Sequence, residues 1–207
     1  LMLREHRSRW PVWCTRPVRE DLAGGNPLFA VLEHYCGIDW HELPLDASFT
    51  IPAAGALAFA ALPLTSNAPP YSPRRDRPEP GDNVGVTIVD RLSRKRLFYA
   101  PGLGEIDART WTAMCGADCV LVDGTLWTDD EMIRLGASAK TSRAMGHLPQ
   151  SGPGGMIEWL DRLPAGTRKI LIHINNTNPI LDEDSAERAE LVAHGIEVAH
   201  DGMELVL

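Results

Sequence analysis

The sequence predicts a single α/β domain, because apolar strands alternate with helices after residue 105, a hairpin precedes them and the connections are short. The chain has 207 residues, which is long enough to bury a core, so we expect one domain over residues 1–207. Hydrophobic residues make up 44% and charged residues 23% of the chain, as in ordinary globular proteins.

Two helices are predicted near the N-terminus. The first covers 17–22 and is stopped by two glycines, and the second begins at Asn26-Pro27, an N-cap followed by proline, and ends at Gly37. The apolar residues of the second helix recur at helical spacing and mark one face of it. They are Leu28, Val31, Leu32 and Tyr35.

The middle of the chain changes to a β pattern between about residues 43 and 64, most clearly at 57–62. Residues 68–83 contain five prolines, which fix φ and remove backbone donors, so this segment is predicted to be an extended loop. Such a loop is functional or simple surface decoration. The runs at 84–90 and 96–100 predict a hairpin.

The second half alternates strands with helices. Asp107 is a predicted N-cap, and Thr128 with Glu131 and Asp184 with Glu187 predict capping boxes. The expected helices cover 107–115, 128–136, 153–163 and 184–195, and the expected strands 118–122, 169–172, 196–199 and 203–206.

Charge and composition exclude several classes of partner. The formal net charge of −8 argues against binding to nucleic acid or to an anionic membrane, and no apolar run could span a bilayer. The first seven residues are charged and lack the apolar segment of a secretory signal. The four cysteines form no CxxC pair, so we expect reduced thiols and a cytoplasmic location.

Two apolar strands each end in a potential metal ligand, Asp123 and His173. Ligands in α/β folds bind beyond the carboxyl ends of strands, so these two side chains are predicted to converge. Carboxylate oxygen and imidazole nitrogen are common donors to first-row metals. The alternative for each residue is a helix cap or turn, and the pattern alone leaves both interpretations open.

Further candidates follow the same strands and loops. His147 lies in the glycine-flanked segment Met145-Gly146-His147-Leu148 and is a candidate acid or base, or a capping residue. Asn175 and Asn176 follow His173 and could orient a ligand or cap the next helix. Arg74 and Arg75 in the proline-rich loop could bind carboxylates, or be solvated.

Nine short segments, in their joint order and spacing, resemble the coenzyme PQQ synthesis protein B family of the metallo-β-lactamase-like superfamily. The resemblance extends over essentially the whole chain and implies a four-layer αββα sandwich, here without its N-terminal strands. The segments are Val12-Trp13-Cys14-Thr15, Asn26-Pro27-Leu28-Phe29, Ala68-Pro69-Pro70-Tyr71-Ser72-Pro73, Pro80-Gly81-Asp82-Asn83, Phe98-Tyr99-Ala100-Pro101-Gly102-Leu103-Gly104, Asp123-Gly124-Thr125-Leu126-Trp127, Met145-Gly146-His147-Leu148, His173-Ile174-Asn175-Asn176-Thr177-Asn178-Pro179 and Asp201-Gly202-Met203.

The resemblance also implies roles for single residues. Asp123 matches a metal-bridging aspartate and His173 the last histidine ligand. His147 matches a histidine that is either catalytic or hydrogen-bonded to a metal ligand, and Asp201 a residue that supports the site without binding metal. The superfamily's middle histidine ligand is expected near 65–67, where this chain has Thr-Ser-Asn, which favours a single metal. The family's N-terminal third, with a possible structural zinc and further ligands, is expected to be absent from this chain.

The function that the resemblance implies is a step in PQQ biosynthesis, an iron-dependent hydroxylation of the tyrosine part of a cross-linked Glu–Tyr precursor. Arg74, Arg75, Asn175 and Asn176 would bind that substrate, and this chain alone would be inactive because two ligands hold iron weakly. A carrier that moves PQQ or its precursor towards the periplasm is the alternative. The expected partners are these small molecules and, in a homodimer, a second copy.

Overall fold

The computed structural model describes residues 8–75 and 77–207, so the charged start of the chain and Asp76 in the proline-rich loop lie outside the described residues. The strands in this part are β1 Trp10–Cys14, β2 Ile38–Glu42, β3 Ser48–Thr50, β4 Leu57–Pro63, β5 Val84–Asp90, β6 Arg96–Ala100, β7 Cys119–Asp123, β8 Arg168–Ile172 and β9 Ile196–Val198. The helices are α1 Arg16–Ala23, α2 Leu28–Glu33, α3 Ala108–Cys115, α4 Glu131–Arg134, α5 Ser142–Met145, α6 Met156–Leu160 and α7 Ala186–Ala193, with 3₁₀ turns at Pro52–Ala54 and Pro179–Leu181.

Seven of these strands form one mixed sheet in the order β3-β4-β5-β6-β7-β8-β9. The pairs from β3 to β6 are antiparallel, and the pairs from β6 to β9 are parallel. In the register of β7 with β8, Asp123 is opposite Ile172. The carboxyl ends of these two strands therefore meet at one edge of the sheet, as the sequence predicted.

The main core lies around the parallel half of the sheet. Phe98 of β6, Val122 of β7 and Leu171 of β8 are fully buried in one cluster with side chains from the helices that follow them, among them Met114 and Leu191. Burial on this scale fixes the strands that carry Asp123 and His173. No helix within the described residues has both the length and the apolar composition needed to cross a bilayer.

A smaller sheet was not predicted. Strands β1 and β2 pair in parallel, and α1 and α2 pack beside them. Pro11 in β1 and the charged residues of β2 mask the strand pattern.

Of the four apolar residues expected to mark one face of α2, only Leu32 is buried. The helix is only six residues long and buries Phe29 and Leu32 against the small sheet. Leu28, Val31 and Tyr35 are exposed at 42%, 43% and 48%. Because apolar residues occupy both sides of this helix, their spacing alone could not identify the side that packs.

Other differences concern the ends of elements. The carboxylate of Glu131 does not complete a capping box with Thr128; it is buried and accepts from the Trp127 amide at 2.6 Å. Helix α4 accordingly begins at Glu131. Ser185, instead of Asp184, caps α7 by accepting from the amide of Arg188. Helix α6 is shorter than the predicted 153–163, and residues 203–206 form no strand.

Candidate metal centre

Three chain segments deliver Asp123, His147 and His173 to the same edge of the main sheet. Asp123 is the last residue of β7, and His173 directly follows β8. His173 has φ +55°, in the left-handed region that histidine tolerates better than β-branched residues do. His147 follows α5, which ends at Gly146 with φ +93°. This backbone turns His147 back towards the strand ends.

These three residues could hold a metal ion. Each offers one ligand atom, and the three atoms lie within 4.8 Å of one another. The two imidazole centroids are 5.3 Å apart. Two histidines and one carboxylate form a donor set that suits zinc and non-haem iron alike. The sequence predicted Asp123 and His173 as a pair of ligands, and the structure adds His147 as a third potential ligand.

Asp123 is fully buried and accepts four hydrogen bonds. Its Oδ2 accepts from the Leu103 amide at 2.9 Å and lies 2.6 Å from His147 Nδ1. Its Oδ1 accepts from the amide and the hydroxyl of Thr125, at 3.0 and 2.5 Å. These contacts use all the lone pairs of the carboxylate. A metal bound directly to Asp123 must therefore replace one of these donors.

The electrostatics of the pair Asp123 and His173 favour the charged forms. Burial raises the pKa of Asp123, but the hydrogen bond from His147 and the imidazole of His173, whose Nδ1 is 3.6 Å from Oδ1, outweigh that effect and hold it below its ordinary value. The nearby carboxylate of Asp123 raises the pKa of His173 above its ordinary value, against partial burial, which lowers it. A carboxylate held ionised at neutral pH is the form that binds a metal cation.

The loop that carries His147 is held by the segment in which a middle histidine ligand was expected. The Ser66 hydroxyl donates a hydrogen bond to the Gly146 carbonyl at 2.7 Å, and the Asn67 side-chain amide donates one to the Ala144 carbonyl at 2.9 Å. Ser66 and Asn67 also line the cavity next to the site. This segment therefore helps to position the loop that carries His147, a potential ligand.

Two cavities open next to the two histidines. One has a volume of about 570 Å³ and is lined by Tyr71, Arg75 and Tyr99. The other has a volume of about 400 Å³ and is lined by Met132 and Asn175, among others. Both include Pro70, Arg75, Met145, His147 and His173.

The predicted substrate-binding residues separate in the structure. Arg75 and Asn175 line cavities, and Arg75 also donates to the Ala68 carbonyl. Arg74 instead forms ion pairs through its guanidinium with Asp21, Asp82 and Glu20, at the base of the proline-rich loop. Asn176 is exposed.

Asp201, predicted to support the site, makes no hydrogen bond to the three potential ligands Asp123, His147 and His173 within the described residues. The residue is exposed, and its carbonyl lies 3.1 Å from His200 Nδ1. Neither Asp201 nor Arg74 therefore lies where the sequence placed it, and their functional roles stay predictions.

Comparison with known proteins gives a consistent family. Residues 1–174 match the beta-lactamase superfamily domain. The coenzyme PQQ synthesis protein B of Azoarcus sp. (strain BH72) is 74% identical over 207 residues, which are 100% of this chain and 68% of that protein. The same-named protein of Pseudomonas fluorescens (strain Pf0-1) is 59% identical over 197 residues, covering 95% of this chain and 65% of that protein. The chain thus spans about two thirds of the length of these relatives.

A solved structure agrees with the sequence relatives. The crystal structure of Zn²⁺-bound PqqB from Methylobacterium extorquens superimposes with a TM-score of 0.84 at 31% identity, covering 100% of this chain and 67% of that one. The predicted metallo-β-lactamase-like α/β fold is confirmed by this match and by the superfamily domain.

Proposed function

The chain belongs to the coenzyme PQQ synthesis protein B family of the beta-lactamase superfamily, and on this premise we propose that the protein hydroxylates the tyrosine part of the cross-linked Glu–Tyr precursor of PQQ with a bound metal. The observation that carries the proposal is the group of two histidines and one carboxylate, Asp123, His147 and His173, beside cavities that Arg75 lines. Because the chain spans two thirds of its relatives, the activity is proposed for the whole protein.

Iron is the metal that we propose for this reaction. Zinc has no redox chemistry, whereas iron held by two histidines and a carboxylate, when bound, would supply the activation of dioxygen. Asp123, His147 and His173 would hold it, with Asp123 exchanging one of its four hydrogen bonds. In this assignment His147 binds metal, and the proton transfer predicted for it becomes the alternative role.

Residues of the chain would bind the substrate in the larger cavity. This cavity is lined by Arg75, Tyr71 and Tyr99. It lies next to His147 and His173. A guanidinium pairs with a carboxylate through two parallel hydrogen bonds, and aromatic rings pack against one another in offset or edge contacts. A substrate that carries carboxylates and a phenol ring fits both groups.

The test is turnover by the full-length protein after reconstitution with Fe²⁺ or Zn²⁺. With the cross-linked Glu–Tyr precursor, dioxygen and a two-electron reductant such as ascorbate, we expect the iron form to consume dioxygen and yield a product heavier by one oxygen atom, the second oxygen atom being released as water. The zinc form should not. If neither form consumes dioxygen while the protein binds PQQ tightly, the hydroxylase proposal fails and the carrier role, towards the periplasm, replaces it.

Arg75 provides a separate prediction on substrate affinity. We expect Arg75→Gln to raise KM for the precursor about tenfold or more and to lower kcat less, because a charge-assisted hydrogen bond contributes about 1.5–3 kcal/mol. Steady-state kinetics of the iron form measures both constants. Arg77→Gln is the matched control, since Arg77 is exposed in the same loop and lines neither cavity. Equal KM values for wild type and Arg75→Gln would contradict the assignment.

A further inference from the structure

Thr125 lies at the centre of the three potential ligands, although no part of the sequence pattern singled it out. Its hydroxyl oxygen is 2.5 Å from Asp123 Oδ1, 2.9 Å from His173 Nδ1 and 3.1 Å from His147 Nδ1. One side-chain atom therefore touches all three members of the candidate metal centre.

The chemistry of a hydroxyl assigns directions to these contacts. A threonine hydroxyl has one hydrogen to donate and two lone pairs to accept with. Its shortest contact is with the carboxylate of Asp123, whose oxygens only accept, so the hydrogen points to Asp123. The lone pairs then accept from the Nδ1–H of His173, while the Nδ1 of His147 lies closer to Asp123 Oδ2, at 2.6 Å.

These directions leave the other nitrogen of each imidazole available. Within the described residues, Nε2 of neither His147 nor His173 makes a hydrogen bond. A ring that donates from Nδ1 carries its free lone pair on Nε2 in the neutral form. Partners that hold one ring nitrogen in this way fix the tautomer and the orientation of a metal-binding histidine.

The backbone of Thr125 is fixed independently of its side chain. Its amide donates to Asp123 at 3.0 Å, and its carbonyl accepts from the Asn175 amide at 3.0 Å. The side-chain amide of Asn178, which is buried, donates to the neighbouring Gly124 carbonyl at 2.9 Å. The hydroxyl can therefore be removed without releasing the turn that carries it.

We propose that Thr125 is a positioning residue, whose hydroxyl assembles Asp123, His147 and His173 before the metal binds. The proposal rests on the metal site of the proposed function but not on the identity of the metal or of the reaction. Its hydroxyl lowers the cost of binding because the two imidazoles are already held close together, with Nδ1 engaged and Nε2 free for the metal.

The test compares Thr125→Val, which keeps the shape and loses the hydroxyl, with Thr125→Ser, which keeps the hydroxyl. In the full-length protein, Zn²⁺ affinity measured against a competing chelator is expected to fall about 10–100-fold in Thr125→Val and only a few-fold in Thr125→Ser. Thr128→Val is the matched control, because among the described residues the Thr128 hydroxyl hydrogen-bonds only Asp130 and Arg134, at the surface. It should bind Zn²⁺ like wild type.

A second readout needs no metal. Long-range ¹H–¹⁵N spectra of the metal-free protein in alkaline buffer should show the Nδ1–H tautomer for His173 in wild type and Thr125→Ser, and its loss in Thr125→Val. Unchanged or tighter Zn²⁺ binding in Thr125→Val, or equal losses in both variants, would overturn the proposal. If wild type binds no Zn²⁺, the proposed metal function fails, and the tautomer of His173 still decides the role of Thr125.

Discussion

The His173→Asn variant is expected to lose tight metal binding and to unfold at the same denaturant concentration as wild type. The loss of an imidazole that binds metal directly should exceed the roughly 10–100-fold effect of losing a group that only supports a ligand. Folding should be preserved because the His173 side chain is 53% exposed and asparagine tolerates its φ of +55°. The stability change should stay within about 0.5 kcal/mol.

Mass spectrometry measures the metal content, and chemical denaturation measures the stability. PQQ formation in cells that depend on the variant measures the effect on function. His200→Asn is the matched control, since it removes an exposed imidazole that, within the described residues, hydrogen-bonds the Asp201 carbonyl and not Asp123. A His173→Asn protein with a full complement of tightly bound metal would remove His173 from the ligand set. Normal metal-free folding with normal PQQ formation would refute the enzyme proposal and favour the carrier.

A substitution of Asp123 would not separate metal binding from stability as the His173 substitution does. Its carboxylate satisfies the buried amide of Leu103 and the amide of Thr125 as well as His147. Replacing it leaves those donors unpaired, at about 1–3 kcal/mol each, so loss of metal and loss of stability would coincide. The difference between the two residues is one of burial, 0% against 53% exposed.

The sequence predicted that Asp123 and His173 lie close together, because their proximity follows from a general rule for parallel strands. Two apolar runs identify neighbouring parallel strands, and the residues after them share one edge of the sheet. No such rule brings in His147, which reaches the site through contacts of its loop with Ser66 and Asn67, about eighty residues away. Its place came from the resemblance alone.

Arg74 shows why the rest could not be predicted. An arginine in a proline-rich loop has the same sequence signature whether it faces a substrate or a buried carboxylate. Its partner Asp21 is 53 positions away, on a helix that the pattern did not connect to the loop. Thr125 was missed for a similar reason, because the importance of its hydroxyl depends on two histidines from other segments.

The Arg74→Met variant is expected to lower the free energy of unfolding by about 3 kcal/mol, because removing one partner of a buried ion pair leaves the others uncompensated. The Arg74 side chain is 14% exposed, and its carboxylate partners Asp21 and Asp82 are 4% and 0% exposed. The guanidinium also donates to the Pro17 carbonyl at 2.7 Å, which ties the proline-rich loop to α1. Urea denaturation measures the loss, and Arg77→Met in the same loop should change stability by less than about 0.5 kcal/mol.

The same variant separates a structural role from substrate binding. Because Arg75 follows Arg74 directly, release of the loop should also move Arg75 and raise KM for the precursor. The charge-conserving Arg74→Lys should recover only part of the stability, since an ammonium group cannot reproduce the planar set of contacts to Asp21 and Asp82. If Arg74→Met raises KM while leaving the urea midpoint unchanged, Arg74 acts on the substrate itself, as the sequence predicted, and the ion-pair network is not what holds the loop.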